Sequence, residues 1–444
     1  METVCHKQLH FGSLFSKEII ADFEGGRITS DGGGLLLREV DQRYQLSERL
    51  AACLHDSRIP ERVTHELSTL LKQRLFAIAL GYEDANDAAF LAQDPALKTM
   101  AERLPESGAD LASQPTLSRF ENNVRATELY RFSETLLELY LATHPGPRKV
   151  LVIDLDGTDD PTHGRQQLSF FHGYYEEHMY HPLFVFDGED GFPLAAVLRP
   201  GNTHDSHGAV TVLKRLLPRL RAAYPEALIL VRADAGFAIP ALYEYLEEQD
   251  VRYVIGFITN SRLLNHTASL AQKAADNFQA TGEKQRLFTA FSYQADSWDH
   301  PRRIIAKVEY TARGINQRFL VTNLHRNPQL VYDDIYVLRG DIENRIKELK
   351  LDIKADRLSC HRFLANQFRL LLHTAAYALF WLLRRHLRGT ELENAQVNTI
   401  RLKLLKVGAR LRETCRRIWV HLASGYPYRQ ILAATLQNLR ASPV

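Results

Sequence analysis

The chain has 444 residues, 45% of them apolar and 24% charged, with a formal net charge of +2. These are the fractions of an ordinary soluble globular protein with enough length for two to four domains. Four scattered cysteines (Cys5, Cys53, Cys360, Cys415) contain no Cys-x-x-Cys, which argues against a disulfide framework or a zinc site, and the polar first ten residues do not suit a signal peptide. A cytoplasmic protein is expected.

The region up to residue 147 reads as mostly helical. Gly32-Gly33-Gly34 is not followed by Gly-Lys-Ser/Thr, so no ATP site is expected. Thr29, Ser30 and Asp31 are expected to cap a helix beginning near Leu35. Thr64 to Leu80 has helical apolar periodicity and is stopped by Gly81, and a long helix is expected from Thr116 to about Thr143. A helix-turn-helix reader would lie at 84–93 or at 116–123.

Lys149 to Ile153 then forms a β-branched run that ends in Asp154-Leu155-Asp156-Gly157-Thr158, a strand closing on acid and a turn. Asp154 and Asp156 are two apart and share one side of that strand. Asp156 is favoured as the working acid because it precedes the turn, with Asp154 as the alternative. His163, His172, His178, His181, His204 and His207 follow, at spacings that match no standard zinc motif. His172 and His181 interleave with tyrosines and are expected to pack beside the site or touch a ligand. A second apolar strand, Ala227 to Arg232, ends in Ala233-Asp234, and α/β sheets place working residues at such strand ends. Three further strands are expected at Arg286–Tyr293, Arg302–Thr311 and Arg318–Asn323.

Tyr336, Arg339, Glu343 and Lys350 are spaced by three, four and seven, which places them on one face of a helix whose first turn would hold Asp333 and Asp334. A solvated helix with salt bridges is the ordinary reading of such a face. The two strand-end acids reverse it, because three carboxylates suit hard divalent cations. Mg²⁺ takes one or two carboxylates and keeps waters or phosphate oxygens, and two such ions roughly 3.5–4 Å apart serve in-line displacement at phosphorus.

Leu370 to Leu383 is too short to span a membrane and reads as a buried helix. From Arg357 onward there are fifteen Lys and Arg against three Asp and Glu, whereas the preceding residues carry forty against fifty. A basic tail of this kind is the footprint of a nucleic-acid surface. Within it Lys403, Lys406 and Arg410 step at helical spacing, and Arg412, Arg416 and Arg417 continue the stretch.

The whole pattern resembles a DDE transposase of a bacterial insertion sequence, in the branch named for its Tyr-Arg-Glu-Lys signature and within it the group numbered thirteen-eighty. Tyr336, Arg339, Glu343 and Lys350 fit that signature at every spacing, Asp156-Gly157-Thr158 and Arg232 to Phe237 carry the two aspartates, and 25–33 and 199–205 look like the same group. The resemblance implies an α/β, ribonuclease H-like core interrupted by a β insertion, with helical N- and C-terminal regions. Its segments would be 1–147 for binding DNA ends, 148–262 and 331–375 for the core, 263–330 for the insertion and 376–444 for a basic helical region. It further implies a catalytic and metal-binding triad of Asp156, Asp234 and Glu343, holding two Mg²⁺ ions, with Mn²⁺ as a substitute. Tyr336, Arg339 and Lys350 would hold the DNA end. The reaction would release a 3′ hydroxyl at the element end and direct it at target DNA, without ATP or a membrane, in a dimeric complex on the nucleoid. Two rival readings keep the same residues, a nuclease that cuts without joining and a silent DNA-binding descendant.

Overall fold

The structure is a computed structural model and describes residues 8–441, so Cys5 lies outside the described residues. The chain divides into two compact units, one of Glu121–Trp381 and one of Met1–Phe120 with Leu382–Val444.

The Glu121–Trp381 unit is built on one eight-stranded sheet. Its strands are β1 (Val150–Gly157), β2 (Leu183–Asp187), β3 (Pro193–Val197), β4 (Leu228–Ala233), β5 (Arg252–Phe257), β6 (Gln285–Tyr293), β7 (Arg302–Thr311) and β8 (Gly314–Thr322). Their order across the sheet is β6-β7-β8-β5-β4-β1-β2-β3. The central pairs β1–β4 and β4–β5 are parallel, and β2 and β8 flank them antiparallel. Leu151, Ile153, Ile229, Val231, Val254 and Ile255 are almost fully buried. Continuous branched runs are what a sheet covered on both faces requires.

The three strands expected late in the chain form as β6, β7 and β8, joined at the last turn by Gly314 at φ +97°. They do not occupy all of 263–330, because Ser261–Thr281 is a helix. Asn260 caps it, accepting from the Leu263 N–H at 3.0 Å, and Gly282 ends it at φ +69°. Nor do the strands stand apart from the core sheet. Val254–Phe257 pairs with Phe319–Thr322, so β8 satisfies the backbone edge that β5 would otherwise expose.

The single helix expected from Thr116 to Thr143 is two, Gln114–Asn122 and Ala126–Thr143. The Glu128 carboxylate accepts from the Arg125 N–H at 2.7 Å and so starts a new helix there. Phe363–His386 is a long helix whose residues 370–383 are buried, as their apolarity demands. Among the described residues no helix is long and apolar enough to cross a membrane.

The other unit is mainly helical, with Leu35–Tyr44, Leu67–Leu80 and Arg429–Ala441 as its longer helices. Leu67–Leu80 ends as expected on Gly81, at φ +93°. Its candidate readers form a short helix, Ala88–Leu91, after a 3-10 turn, and the helix Gln114–Asn122. The glycine triplet serves close packing. A Cβ on Gly33 would lie 1.8 Å from the Leu404 carbonyl oxygen, and the Gly32 N–H donates to the Val407 carbonyl at 2.9 Å. Asp31 does not cap the helix at Leu35. Its carboxylate accepts from Tyr82 Oη at 2.8 Å and pairs with Lys406 Nζ at 2.7 Å.

Part of the C-terminal region corrects the expectation of a helical face. Ala409–Glu413 and Ile418–Leu422 are strands, forming a three-stranded sheet with Ile28–Thr29. In Ala409-Arg410-Leu411-Arg412 the apolar residues are buried and the arginines exposed, a period of two that outweighs the coincidental helical spacing from Lys403.

Candidate active site

β1 and β4 run in parallel register, with Asp154 opposite Arg232 and Leu155 opposite Ala233. The next residue on each strand is an acid, so Asp156 and Asp234 emerge side by side at the carboxyl ends of the two central strands. Asp234 also opens a turn, its Oδ1 accepting from the Gly236 N–H at 2.9 Å.

Asp154 has a different fate. It is 1% exposed and forms a two-pronged pair with Arg232, Nε to Oδ1 and Nη2 to Oδ2 both at 2.6 Å. Arg232 also donates to the Ile335 carbonyl at 2.9 Å. Both carboxylate oxygens of Asp154 are therefore engaged, and burial, offset by Arg232, raises its pKa.

The third acid arrives on a continuous helical segment from Pro328 to Asp352, not one regular α-helix. A π-helical stretch, Val331–Tyr336, leads into a 3-10 turn, Val337–Arg339, then α-helix over Gly340–Lys347 and π-helix again over Glu348–Asp352. The segment starts at Asn327, which caps it, so Asp333 and Asp334 are not its first turn. Asp333 instead pairs with Arg286.

Along this segment the four signature residues meet the strand ends at different points. Arg339 bridges two acids, Nη1 lying 3.3 Å from Asp156 Oδ2 and Nη2 2.9 Å from Glu343 Oε1. Lys350 reaches the turn after β1, donating to the Asp159 carbonyl at 2.8 Å and pairing with its carboxylate at 2.9 Å. Tyr336 packs inward against Tyr332, with ring centroids 5.7 Å apart, and beside Gly256. Glu343 is the exposed member.

The electrostatics are those of a crowded acidic centre. Burial, reinforced by the charges of Asp234 and Glu343 against the pull of Arg339, raises the Asp156 carboxyl to about 7. Burial likewise raises Asp234, with Asp205 adding to it and Arg339 opposing. A hard cation would relieve this excess of carboxylate, and every donor offered is an oxygen. These residues fit a divalent ion by chemistry. In this arrangement the Arg339 guanidinium lies between Asp156 and Glu343, and among the described residues no three His, Cys, Asp or Glu side chains converge as a metal site.

The sequence pattern left one acid unassigned. Asp205 lies at the same strand ends, its Oδ1 3.0 Å from His181 Nε2. The signal was Gly236, which makes room for it, and Gly157, which makes room for His181 and Arg199 beside it. His172 and Tyr175 stand beside His181, with ring centroids 5.2 and 6.1 Å from it.

Residues 11–444 match the family model described as transposase DDE domain, group 1. The chain belongs to the DDE transposases. That membership places it in DNA transposition and recombination, and DDE transposases use divalent metal ions. Among solved structures, a cryo-EM structure of the piggyBac transposase synaptic complex with hairpin DNA aligns over 94% of this chain and 83% of that one, at 10% identity and a TM-score of 0.43. No curated protein matches the chain.

The basic residues of the tail expected to touch DNA lie in the other unit of the transposase. Lys406 is held by Asp31 and lies 4.0 Å from the centroid of the Tyr82 ring. Lys403 lies 4.0 Å from Glu391 and 5.0 Å from the Tyr428 ring centroid. Arg410 is exposed on its strand beside Arg412, and neither has a carboxylate partner among the described residues. Trp419, opposite Arg412 on the next strand, is 48% exposed, and its ring stacks with that of His421.

Proposed function

We propose that this transposase cuts DNA at the ends of an insertion sequence and joins the freed 3′ hydroxyl to target DNA, with Asp156, Asp234 and Glu343 as its catalytic, ion-holding acids. The observation that carries the reading is the emergence of Asp156 and Asp234 on adjacent parallel strands, with Glu343 tied to Asp156 through Arg339. A ribonuclease H-like core is supported by the strand order β3-β2-β1-β4-β5, with β2 alone antiparallel among them to its acid-bearing neighbour. The strands β6 to β8 and the helix before them would be the insertion.

Asp156 and Asp234 would hold the two Mg²⁺ ions, with Mn²⁺ able to substitute, and Glu343 would complete the second position. When bound, the ions supply charge stabilisation for in-line displacement at phosphorus. Asp154 serves the fold through Arg232. Arg339 and Lys350 hold acidic partners at the site, and each would exchange that carboxylate for a DNA phosphate, the bound ions taking the place of Arg339 at Asp156 and Glu343. Tyr336 would pack against the DNA end from its seat beside Gly256. In the other unit Arg410 and Arg412 present cations, and Trp419 an aromatic face, to the DNA backbone and bases. Joining two ends calls for a dimer on DNA.

The test places the gene's own flanking DNA around a marker and compares wild type with Glu343→Gln for excision and reinsertion in cells. Movement with wild type and none with the well-expressed variant is expected. Equal movement in both would refute the triad. Cut ends without joined product would favour the plain nuclease.

A further inference from the structure

We infer that Asp205 is a fourth carboxylate of the catalytic centre, serving the divalent ion on the Asp234 side and held in place by His181 and Arg199. This rests on the transposase reading above and extends its ion site.

The first support is steric. A Cβ on Gly236 would lie 2.2 Å from Asp205 Oδ2 and 2.7 Å from its Cγ. A Cβ on Gly157 would meet His181 Nε2 at 2.9 Å, Arg199 Nη2 at 3.0 Å and Asp205 Oδ1 at 3.4 Å. Neither glycine has a positive φ, so room for neighbours, not backbone conformation, is what demands them. Gly157 follows Asp156, and Gly236 is the residue whose N–H binds Asp234 Oδ1. Gly236 thus admits the Asp205 carboxylate itself, and Gly157 admits the His181 and Arg199 side chains that hold it.

The second support is the machinery that aims it. Arg199 is 2% exposed and donates from Nη1 to the carbonyls of Asp205 at 2.5 Å, His207 at 3.0 Å and His204 at 3.3 Å. Its Nε donates to the His181 carbonyl at 2.6 Å. The His181 ring is fixed at its other nitrogen, Nδ1 lying 2.8 Å from the Thr203 carbonyl oxygen. A buried arginine and a buried histidine therefore fix the loop at 203–208 and leave Oδ2 turned toward Gly236.

The third support is charge. A carboxylate needed only to lock the loop would gain nothing from lying beside a second carboxylate, Asp234.

The experiment is Mn²⁺ titration of the purified full chain, followed by electron paramagnetic resonance and calorimetry, for wild type, Asp156→Asn, Asp205→Asn and Gly236→Ala. Thermal unfolding in chelator is measured alongside. Asp205→Asn is expected to weaken Mn²⁺ binding about tenfold or more while leaving unfolding in chelator close to wild type. Gly236→Ala, which displaces the carboxylate, should weaken binding similarly. Loss of binding in Asp156→Asn with wild-type binding in Asp205→Asn would overturn this inference and leave the triad standing. No Mn²⁺ binding by wild type, or binding indifferent to Asp156→Asn, would overturn both. Unfolding of both Asp205→Asn and Gly236→Ala would make Asp205 a structural lock and overturn the inference.

Discussion

The acidic centre and the basic sheet differ in how their charges are satisfied. At the strand ends nearly every charge has an internal partner: Arg339 with Asp156 and Glu343, Lys350 with Asp159, Asp205 with His181. On the sheet of Ala409–Glu413 and Ile418–Leu422, Arg410 and Arg412 have no carboxylate partner among the described residues. The first is a site whose ligands must displace existing contacts, so it can be selective. The second gains by meeting any phosphate, so it should bind without regard to sequence and weaken with salt.

The comparison is broken most directly at the acids. Asp234→Asn should lower strand cleavage about a thousandfold, the scale of losing a charge-stabilising catalytic group, with DNA binding retained in a gel-shift assay. If cleavage survives, the strand-end acids are not the chemistry.

Arg232→Met tests whether Asp154 belongs to the fold. It leaves a buried carboxylate alone and should destabilise the protein by about 3–5 kcal/mol in urea unfolding. Replacing both partners, as Asp154→Leu with Arg232→Met, should recover most of that loss. A stable, inactive Arg232→Met would move Asp154 into the catalytic set.

A third change reads the crowding itself. A carboxyl raised from its usual value to about 7 binds its proton more tightly in the folded state, so its burial costs stability as pH rises through that range. Asp156→Asn should therefore raise stability in chelator at pH 8, by at most about 4 kcal/mol, with the difference vanishing below about pH 4. A flat pH difference would mean that Arg339 neutralises Asp156 more fully than this arrangement implies.

The smallest expected effect is on the basic sheet. Arg410→Ala and Arg412→Ala should each weaken DNA binding uniformly across sequences and reduce the salt slope by about one. Unchanged slopes would remove this face from the DNA path.

The two strand ends, the signature spacing and strands β6 to β8 were legible because each rests on local pattern: branched runs, acid-turn endings and helical steps. Asp205 was not, because its partners Gly157, His181 and Gly236 are far apart in sequence and only the loop at 203–208 brings it among them. The helical face expected over Lys403, Lys406 and Arg410 holds at Lys403 but breaks before Arg410, for the opposite reason. Three cations at helical intervals are weak against the alternation of Ala409 to Arg412, which pairing with Ile418–Leu422 then fixes.

By itself the sequence determined which strands end in acid, where Glu343 falls relative to Tyr336, Arg339 and Lys350, and that the chain's basic charge gathers toward its end. Tertiary structure decided the choice between two acids on the same strand face. Asp154 lies opposite Arg232 in the parallel register and is neutralised there. Asp156 lies one step beyond the pairing with β4 and has Phe184 of β2 on its other side, so no arginine faces it across the ladder and Arg339 reaches it only from the signature helix. Side-chain periodicity places both on one face, but only the register of a neighbouring strand determines which of them is paired across the sheet.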